Sequence, residues 1–309
     1  MYNIGIDIGG TTIIGGVVDA HGKIITKKST PALPERENRL IIADIITLCK
    51  SLISDAHDIN SIGIGSAGIV DPVCGTVINA ANLGFLNVPL GDMLKAELGY
   101  PMHIDNDANC AALGESLFGA AKGSTNSVTI TLGTGIGGGI IVDGSIYSGS
   151  FFGAGEVGHH IICMDGEPCN CGLKGCWEAY ASASALVRDT IKAVKSNPKS
   201  MINTLVNGDL DKITAKTAFD AAATGNETAK VVVERYIYYL CIGLINIVNI
   251  LQPEVIVIGG GISGQGSALI SQIEKRINNV TYLSEIKTKF AIAKLGNDAG
   301  VIGAAQLNK

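Results

Sequence analysis

The sequence predicts an α/β fold of two lobes, and three observations lead to that prediction. The chain has 309 residues, enough for about two domains with sizeable cores. A Gly/Thr-rich turn between two apolar strands occurs twice, at 9–12 and at 133–138. Strand patterns alternate with helical periodicity around these turns. Together they indicate an internal duplication, with one glycine loop in each lobe.

The first lobe is predicted to alternate strands with helices. Its apolar strand patterns lie at 2–8, 13–19, 23–28, 61–66 and 102–105. Helical periodicity covers 37–56, and a second helix opens at Asn106. We place the lobe boundary near 119–123. This gives a small lobe of 1–118 and a large lobe of 119–297, and we expect a final helix at 298–309 to pack back on the small lobe.

The second lobe repeats the opening hairpin, with strands at 128–132 and 139–143. Matching residues recur at a constant spacing: Ile6 and Ile130, Gly9 and Gly133, Gly15 and Gly139, Val18 and Val142, Asp19 and Asp143. A Gly/Cys-rich loop at 153–175 and a long helical region at 177–251 follow. We predict the last buried strand at 254–258.

Composition and charge exclude several classes of protein. The formal net charge is -5 and no long basic run is present, which argues against a nucleic-acid partner. Met1 leads almost directly into a strand, so we expect no signal peptide. The apolar stretch Tyr236–Leu251 is shorter than the roughly 20 residues a membrane span needs, which favours a core helix. Five scattered cysteines are expected to be reduced and buried, as in a cytoplasmic enzyme: Cys49, Cys74, Cys110, Cys163 and Cys241.

The first glycine loop combines groups suited to a phosphate. Glycine lets backbone N–H groups approach an anion and permits positive φ angles. The loop adds two hydroxyl donors and a carboxylate able to act through Mg²⁺, so we predict an ATP and Mg²⁺ site at Asp7, Gly9, Gly10, Thr11 and Thr12. An ordinary tight hairpin would have the same residues.

Two further glycine clusters are predicted to contact the nucleotide. The segment 133–138 matches a dinucleotide fingerprint, but a β-branched strand follows it where that fingerprint requires a helix. A hairpin that presents amides to a triphosphate fits better, through Gly133, Thr134, Gly135 and Gly137. The third cluster, Gly259, Gly260 and Gly261, runs from a strand into a helix, and we predict that it packs against the base and ribose. A plain strand–helix turn is its alternative.

Asn106 and Asp107 lie between a buried strand and a helix, where α/β folds often place ligand groups. Phosphoryl transfer requires a positioned acceptor hydroxyl, Mg²⁺ and a group that accepts the proton. Asp107 is therefore a candidate general base. The alternative is that either residue is simply a helix N-cap, a position that both residue types favour.

The segment from Glu156 to Glu178 is the most specific signal in the chain. Three cysteines within eight residues follow a histidine, which makes one tetrahedral Cys₃His set for a structural Zn²⁺: His159, Cys169, Cys171 and Cys176. Spacing does not separate His159 from His160, and a disulfide or a nucleic-acid zinc finger are the competing interpretations. Zinc would fix Glu156, His159 and Glu178, whose side chains suit hydrogen bonds to a polyol.

These motifs resemble the ROK family of sugar kinases and sugar-sensing repressors over essentially the whole chain. The motifs occur in the family's order: Asp7-Ile8-Gly9-Gly10-Thr11, Asn106-Asp107-Ala108-Asn109, Glu156-Val157-Gly158-His159 and the Cys169–Glu178 run. The resemblance implies an actin-like, ribonuclease H-like duplicated fold with ATP and Mg²⁺. It also implies that Asp107 is the base, that His159 is the zinc ligand, and that the sugar contacts are Gly68, Asn82, Asn106, Asp107, Glu156, His159 and Glu178.

The sugar and the class of protein leave alternatives. The resemblance implies a kinase of the 6-hydroxyl of a hexose, with glucose first and fructose, N-acetylglucosamine or N-acetylmannosamine as alternatives. Asp105 replaces the family's more usual Glu, and 81–85 only approximates its sugar-side segment. A repressor would carry a helix-turn-helix before Asp7, for which we see no room, and a non-catalytic sugar-binding subunit would not keep Asp107. We expect a homodimer or homotetramer.

Overall fold

The chain divides into two compact units. The computed structural model describes residues 1–33, 35–278, 282 and 285–308. Unit 1 contains Met1–Thr129, Gly138–Gly155 and Ala293–Lys309, and unit 2 contains Ile130–Gly137 and Glu156–Ile292. Within each unit, the residues contact mainly other residues of the same unit. The predicted lobes, 1–118 and 119–297, were drawn from the sequence repeat and stay a prediction.

Strands and helices alternate along the described residues. The strands are β1 (Tyr2–Ile8), β2 (Thr12–Val18), β3 (Ile24–Pro31), β4 (Ile59–Ser66), β5 (Ile69–Asp71), β6 (Thr76–Ala80), β7 (Phe85–Val88), β8 (Met102–Asn106), β9 (Ser127–Leu132), β10 (Ile136–Val142), β11 (Ser145–Ile146), β12 (Val255–Gly259) and β13 (Lys289–Ile292). The helices are α1 (Asn38–Asp55), α2 (Leu90–Leu98), α3 (Asp107–Phe118), α4 (Glu178–Ala181), α5 (Ala183–Ser196), α6 (Met201–Leu205), α7 (Ala215–Ala223), α8 (Glu227–Leu251), α9 (Ser267–Ile277) and α10 (Ala299–Ala304).

Two five-stranded sheets share one strand order. The first has the order β3-β2-β1-β4-β8, and the second has β11-β10-β9-β12-β13. In the first sheet β1 and β2 form an antiparallel hairpin while β4 and β8 run parallel. In the second sheet β10 and β11 are antiparallel and β12 and β13 parallel. The repeated order confirms the predicted duplicated α/β fold.

Close backbone packing places α10 directly on the first sheet. A Cβ atom at Gly5 of β1 would lie 1.9 Å from the Val301 carbonyl oxygen, and one at Gly63 of β4 would lie 1.7 Å from that of Ala304. Only glycine leaves room for a helix at this distance. The final helix is thus held by β1 and β4, and it also packs on α3 within unit 1.

Helix α8 forms the centre of unit 2. By length and composition it could cross a membrane, but 56% of its most apolar window is buried inside the protein. Its neighbours in unit 2 include α4, α5, α7 and α9. The helix has a buried face that includes Val233, Ile237 and Leu244, as expected of a core helix in an α/β unit.

Three expectations from the sequence are wrong. Strand 254–258 is not the last one, because β13 pairs with β12 in parallel. A three-stranded antiparallel sheet, β5-β6-β7, follows β4 where no strands were predicted. Of the scattered cysteines, Cys74 and Cys163 are exposed. Strands of three to five residues are too short to show a clear periodicity, which explains why these strands were missed.

Candidate active site

The first glycine loop joins β1 to β2 and follows Asp7. The Gly9 N–H donates to the Thr12 carbonyl at 3.1 Å, which closes the hairpin, and Thr11 and Thr12 are exposed. Neither Gly9 nor Gly10 has a positive φ angle. The loop therefore does not use the positive φ angles that glycine permits. Among the described residues, no heavy atom lies within 4 Å of a Cβ built on Gly10, so the loop has open space in front of it.

Asn106, and not Asp107, is the cap of α3. The Asn106 side-chain oxygen accepts from the backbone N–H groups of Ala108 and Asn109, at 2.8 and 3.1 Å. Its amide nitrogen donates to the Gly68 carbonyl at 2.9 Å. The N-cap alternative is therefore correct for Asn106, and the role of Asp107 as a general base stays a prediction. Asp107 takes the first position of the helix and is available for another role.

Burial perturbs the two acidic groups of this region. Burial, followed by the charge of Asp107, raises the pKa of Asp7 to about 7. Burial also raises the pKa of Asp107, although the Ala108 N–H that donates to its carboxylate at 2.8 Å opposes the shift. Two carboxyl groups that disfavour each other's ionisation are typical of a cation site or of a general base. A Cβ at Gly300 would lie 2.5 Å from an Asp7 oxygen, so α10 packs against this carboxyl.

The two remaining predicted sugar residues of unit 1 lie in the segment after β4. Gly68 has a φ of 89° and its Cβ position would lie 2.1 Å from the Asn79 carbonyl oxygen, so glycine is required there. It shares a hydrogen bond with Asn106. Asn82 lies exposed in a single 3₁₀ turn, Ala81–Leu83. The structure thus brings Gly68 to Asn106.

The Glu178 carboxylate packs against the second glycine loop, at Gly135 and Ile136. This carboxylate accepts the Ile136 N–H at 2.8 Å, and a Cβ at Gly135 would lie 2.2 Å from the same oxygen. The Gly133 carbonyl accepts the Ala183 N–H at 2.9 Å. A methyl group at 135 would therefore displace the Glu178 carboxylate from this position. Thr134 is exposed, and Gly137 lies within β10.

The third glycine cluster follows β12. Gly260 has a φ of 78°, and its Cβ position would lie 2.5 Å from the Leu132 carbonyl oxygen. This glycine is needed for the chain to turn against β9. Gly261 opens a 3₁₀ turn, Gly261–Gln265, which contacts α7 in the same unit. Gly259 is buried at the end of β12.

The four predicted metal ligands come together in unit 2. The ligand atoms of His159, Cys169, Cys171 and Cys176 all lie within 4.8 Å of one another. The Cys171 and Cys176 sulfurs are 3.6 Å apart, and Cys169 lies 3.7 Å from the His159 Nδ1. A tetrahedral centre with Zn–S distances of about 2.3 Å separates neighbouring sulfurs by about 3.8 Å. The cysteines are free thiols, as this site requires.

Trp177, the single tryptophan of the sequence, fixes the end of the metal loop. It is fully buried, and its indole N–H donates to the Tyr239 carbonyl of α8 at 2.9 Å. A Cβ at Gly243 would lie 2.1 Å from the ring, so α8 has a gap for this side chain. The ring of His160 packs on Trp177 at 5.3 Å, and its Nδ1 contacts Val157. The structure thus places His159, and not His160, beside the cysteines.

A pocket of about 680 Å³ opens beside Thr134 in unit 2. Apolar side chains of α5 and of the segment just before α7 line it, including Val187, Ile191 and Ile213. Arg188, Lys192 and Lys195 add positive charge along α5. Lys192 lies 3.6 Å from Glu167, and Arg188 pairs with Asp189 at 2.9 Å. The volume and the apolar lining with a few polar groups are typical of a site for a small organic ligand.

Sequence reasoning missed this pocket and the hydrogen bond from Ile136 to Glu178. Cations spaced at 188, 192 and 195 on one helix are a usable signal for the pocket, since positions three or four residues apart share a face. The contact between Ile136 and Glu178 joins positions far apart in sequence. Local patterns carry no signal for such a contact.

Comparison with known proteins agrees with the motifs. The ROK family model matches residues 3–309. The chain is 39% identical to the glucokinase of Halalkalibacterium halodurans, over 100% of this chain and 95% of that protein. It is also 31% identical to the xylose repressor of Caldicellulosiruptor bescii, over 97% of this chain and 76% of the repressor.

A solved structure supports the same conclusion. The crystal structure of a ROK family glucokinase from Streptomyces griseus, in complex with glucose and AMPPNP, aligns with a TM-score of 0.84 at 36% identity. The alignment covers 99% of both chains. The fold is accordingly the actin-like ATPase fold, as the resemblance implied. On the motifs, the strand order and the full-length family match, the chain belongs to the ROK family.

Proposed function

We propose that the chain is an ATP-dependent hexose kinase that phosphorylates the 6-hydroxyl of glucose. The observation that carries the proposal is Asp107, a half-buried residue at the start of α3 that does not cap the helix, because Asn106 makes the cap. The glucokinase relatives and the complex with glucose and AMPPNP support the choice of sugar and of donor. The alternatives are N-acetylmannosamine, N-acetylglucosamine and fructose as acceptors.

Unit 1 supplies the proton acceptor in this proposal. The bond between the γ-phosphorus and its bridging oxygen breaks, a new bond forms to the sugar oxygen, and ADP leaves. Asp107 takes the hydroxyl proton, and its raised pKa makes it a stronger base than an exposed carboxylate. Asp7, next to the first glycine loop, would help to hold Mg²⁺, which neutralises charge on the phosphates. The acceptor contacts assigned to this unit are Gly68, Asn82, Asn106 and Asp107.

Unit 2 supplies recognition groups ordered by a metal loop. We assign Zn²⁺ to His159, Cys169, Cys171 and Cys176, because the three thiols and the imidazole have the donor types and spacing of a structural site. The ion would cross-link the loop and take no part in proton transfer. Glu156, His159 and Glu178 are the assigned sugar contacts. Carboxylate and imidazole groups suit several hydroxyls at once.

The pocket beside Thr134 is the proposed place of the nucleoside of ATP. Its apolar floor suits a purine ring, and the cations of α5 suit the charge of the donor. The 3₁₀ turn that begins at Gly261 contacts α7, whose first residue, Ala215, lines the pocket. We therefore also assign Gly259, Gly260 and Gly261 to the binding of the base and ribose. We further propose a cytoplasmic enzyme that acts as a homodimer or homotetramer.

A coupled assay tests the proposal. ADP release is measured with ATP, Mg²⁺ and a panel of hexoses and N-acetylhexosamines, for the wild type and for Asp107→Asn. We expect turnover that is highest with glucose and lost in the variant. Turnover with no sugar would contradict the kinase, and full activity of the variant would contradict the base. Sugar-dependent binding to DNA without turnover would instead place the chain with the repressors.

A further inference from the structure

We infer that Glu178 is also a positioning residue for the donor loop, and that it couples nucleotide binding to sugar binding within unit 2. This inference rests on the proposed function, in which Glu178 contacts the sugar and the loop 133–136 contacts the phosphates. It gives the Glu178 carboxylate a second role, through the oxygen that accepts the Ile136 backbone N–H.

The geometry around Glu178 carries the inference. One carboxylate oxygen accepts the Ile136 N–H at 2.8 Å and lies 2.2 Å from the Cβ position of Gly135. The other oxygen lies 3.6 Å from the Cys169 sulfur. A single side chain thus contacts the glycine loop on one side and the metal loop on the other. Glycine at 135 is what allows this approach.

Glu178 is itself held by the elements on both sides of it. Trp177, directly before it, is buried against α8 through Gly243. The backbone of α4, which Glu178 begins, continues into α5, whose Ala183 N–H donates to Gly133. The loop 133–136 therefore has two supports, one from the Glu178 carboxylate and one from the start of α5. Loss of the first support frees the Ile136 N–H and opens space behind Gly135.

Two effects of Glu178 on the nucleotide have opposite signs, which makes the inference testable. As a negative charge near a phosphate loop, Glu178 weakens anion binding, so its removal should tighten the binding of a nucleotide. As a support for the loop, Glu178 strengthens binding, so its removal should weaken it. A ligand that contacts Glu178 and one that contacts the loop must then change each other's affinity by the same factor.

The experiment is calorimetric titration of AMPPNP with Mg²⁺, in the absence and presence of glucose. Three variants of the full chain are compared with the wild type. Glu178→Ala removes the charge and the acceptor, whereas Glu178→Gln removes the charge and keeps an oxygen for the Ile136 N–H. Glu274→Ala is the matched control, since it removes an exposed carboxylate of the same unit, on α9, to which no binding role is assigned. Thermal unfolding of each variant checks that it is folded.

We expect Glu178→Ala to bind AMPPNP at least fivefold more weakly without any sugar present. Glu178→Gln should bind it at least as tightly as the wild type, because it removes the charge and keeps the acceptor of the Ile136 N–H. Glu274→Ala should bind it within twofold of the wild type. Glucose should tighten AMPPNP binding to the wild type and not to Glu178→Ala. Equal or tighter binding of AMPPNP by Glu178→Ala would overturn the inference. If the wild type turns over glucose normally, that result leaves the proposed function intact; a wild type that binds no AMPPNP would overturn both.

Discussion

The two glycine loops share a sequence pattern but differ in what lies behind them. Loop 9–12, in unit 1, closes by one backbone hydrogen bond and has open space at Gly10. Loop 133–136, in unit 2, has the Glu178 carboxylate packed into the space that a side chain at 135 would take. The acidic groups near them also differ. In unit 1, burial raises the pKa values of Asp7 and Asp107. In unit 2, the Glu178 carboxylate accepts a hydrogen bond from the Ile136 backbone N–H.

This difference shows that a glycine-rich turn can be required for two physical reasons. In loop 9–12 the absence of a side chain leaves the loop accessible to a ligand. In loop 133–136 the glycine at 135 makes room for the protein itself. The first loop should therefore tolerate a methyl group when no ligand is bound, and the second should not.

The largest effect is expected at the proton acceptor of unit 1. Asp107→Asn should lower kcat by about 10³-fold, because a general base contributes on the order of 10²- to 10⁴-fold. AMPPNP binding should change little. Steady-state kinetics with ATP and glucose measure the loss. Asp105→Asn is the control: it removes a buried carboxylate two residues away but keeps an oxygen for the N–H groups of Asn106 and Asn109. A loss in Asp105→Asn as large as that in Asp107→Asn would contradict the assignment.

Removal of the metal tests the support of the second loop. Chelation should weaken glucose and AMPPNP binding together, because the metal loop positions Glu178 and Glu178 positions loop 133–136. We expect a roughly 10- to 100-fold fall in kcat/KM, the range seen when groups that orient a metal site are lost. The zinc content and activity are measured before and after chelation, and again after zinc is restored. Unchanged AMPPNP affinity in the metal-free protein would show that the metal loop and the donor loop are independent.

Substitution of one glycine in each loop tests the comparison directly. Gly135→Ala should lower the free energy of unfolding of the ligand-free protein by about 1–3 kcal/mol, because the new methyl group overlaps the Glu178 carboxylate. Gly10→Ala should change it by less than about 1 kcal/mol, because its Cβ meets no described atom within 4 Å and its φ is not positive. Chemical denaturation measures both. Equal losses in the two variants would remove the distinction between the loops.

The pH dependence of stability tests the acidic pair of unit 1. The pKa of Asp7 is raised from 3.8 to about 7, so the folded protein keeps a proton that the unfolded chain has lost between these values. The wild type should therefore lose stability as pH rises from about 4 to about 7 in buffer without Mg²⁺. Asp7→Asn lacks this loss and should be more stable than the wild type at pH 8 by roughly 4 kcal/mol, because each unit of the pKa difference is worth about 1.4 kcal/mol. Parallel profiles for the two proteins would contradict the burial of a charged Asp7.

The fold and most of the candidate site residues could be predicted from the sequence, because the patterns that indicate them are local. The two hairpins, the Asn-Asp pair at the start of α3 and the His/Cys spacing are each read within about twenty residues. These signals predicted the duplicated sheets, and the four metal-ligand side chains do come together in the structure. The site roles of these residues stay predictions until activity is measured.

What the sequence did not predict depends on contacts between distant segments. The Glu178 hydrogen bond to Ile136, the gap at Gly243 for Trp177 and the pocket beside Thr134 each join separate segments of the chain. Glycine at 135 was attributed to phosphate approach, whereas the structure shows a carboxylate in that space. The sequence pattern is the same for both causes, so only the tertiary contact distinguishes them.

The most direct test of the central claim is the identity of the product. Purified protein is incubated with ATP, Mg²⁺ and glucose, and the product is examined by phosphorus–proton correlation NMR. The account predicts a phosphorus coupled to the two protons on C6 of the sugar, and no such product from Asp107→Asn. A phosphate on another carbon, or no phosphorylated sugar from the wild type, would contradict it.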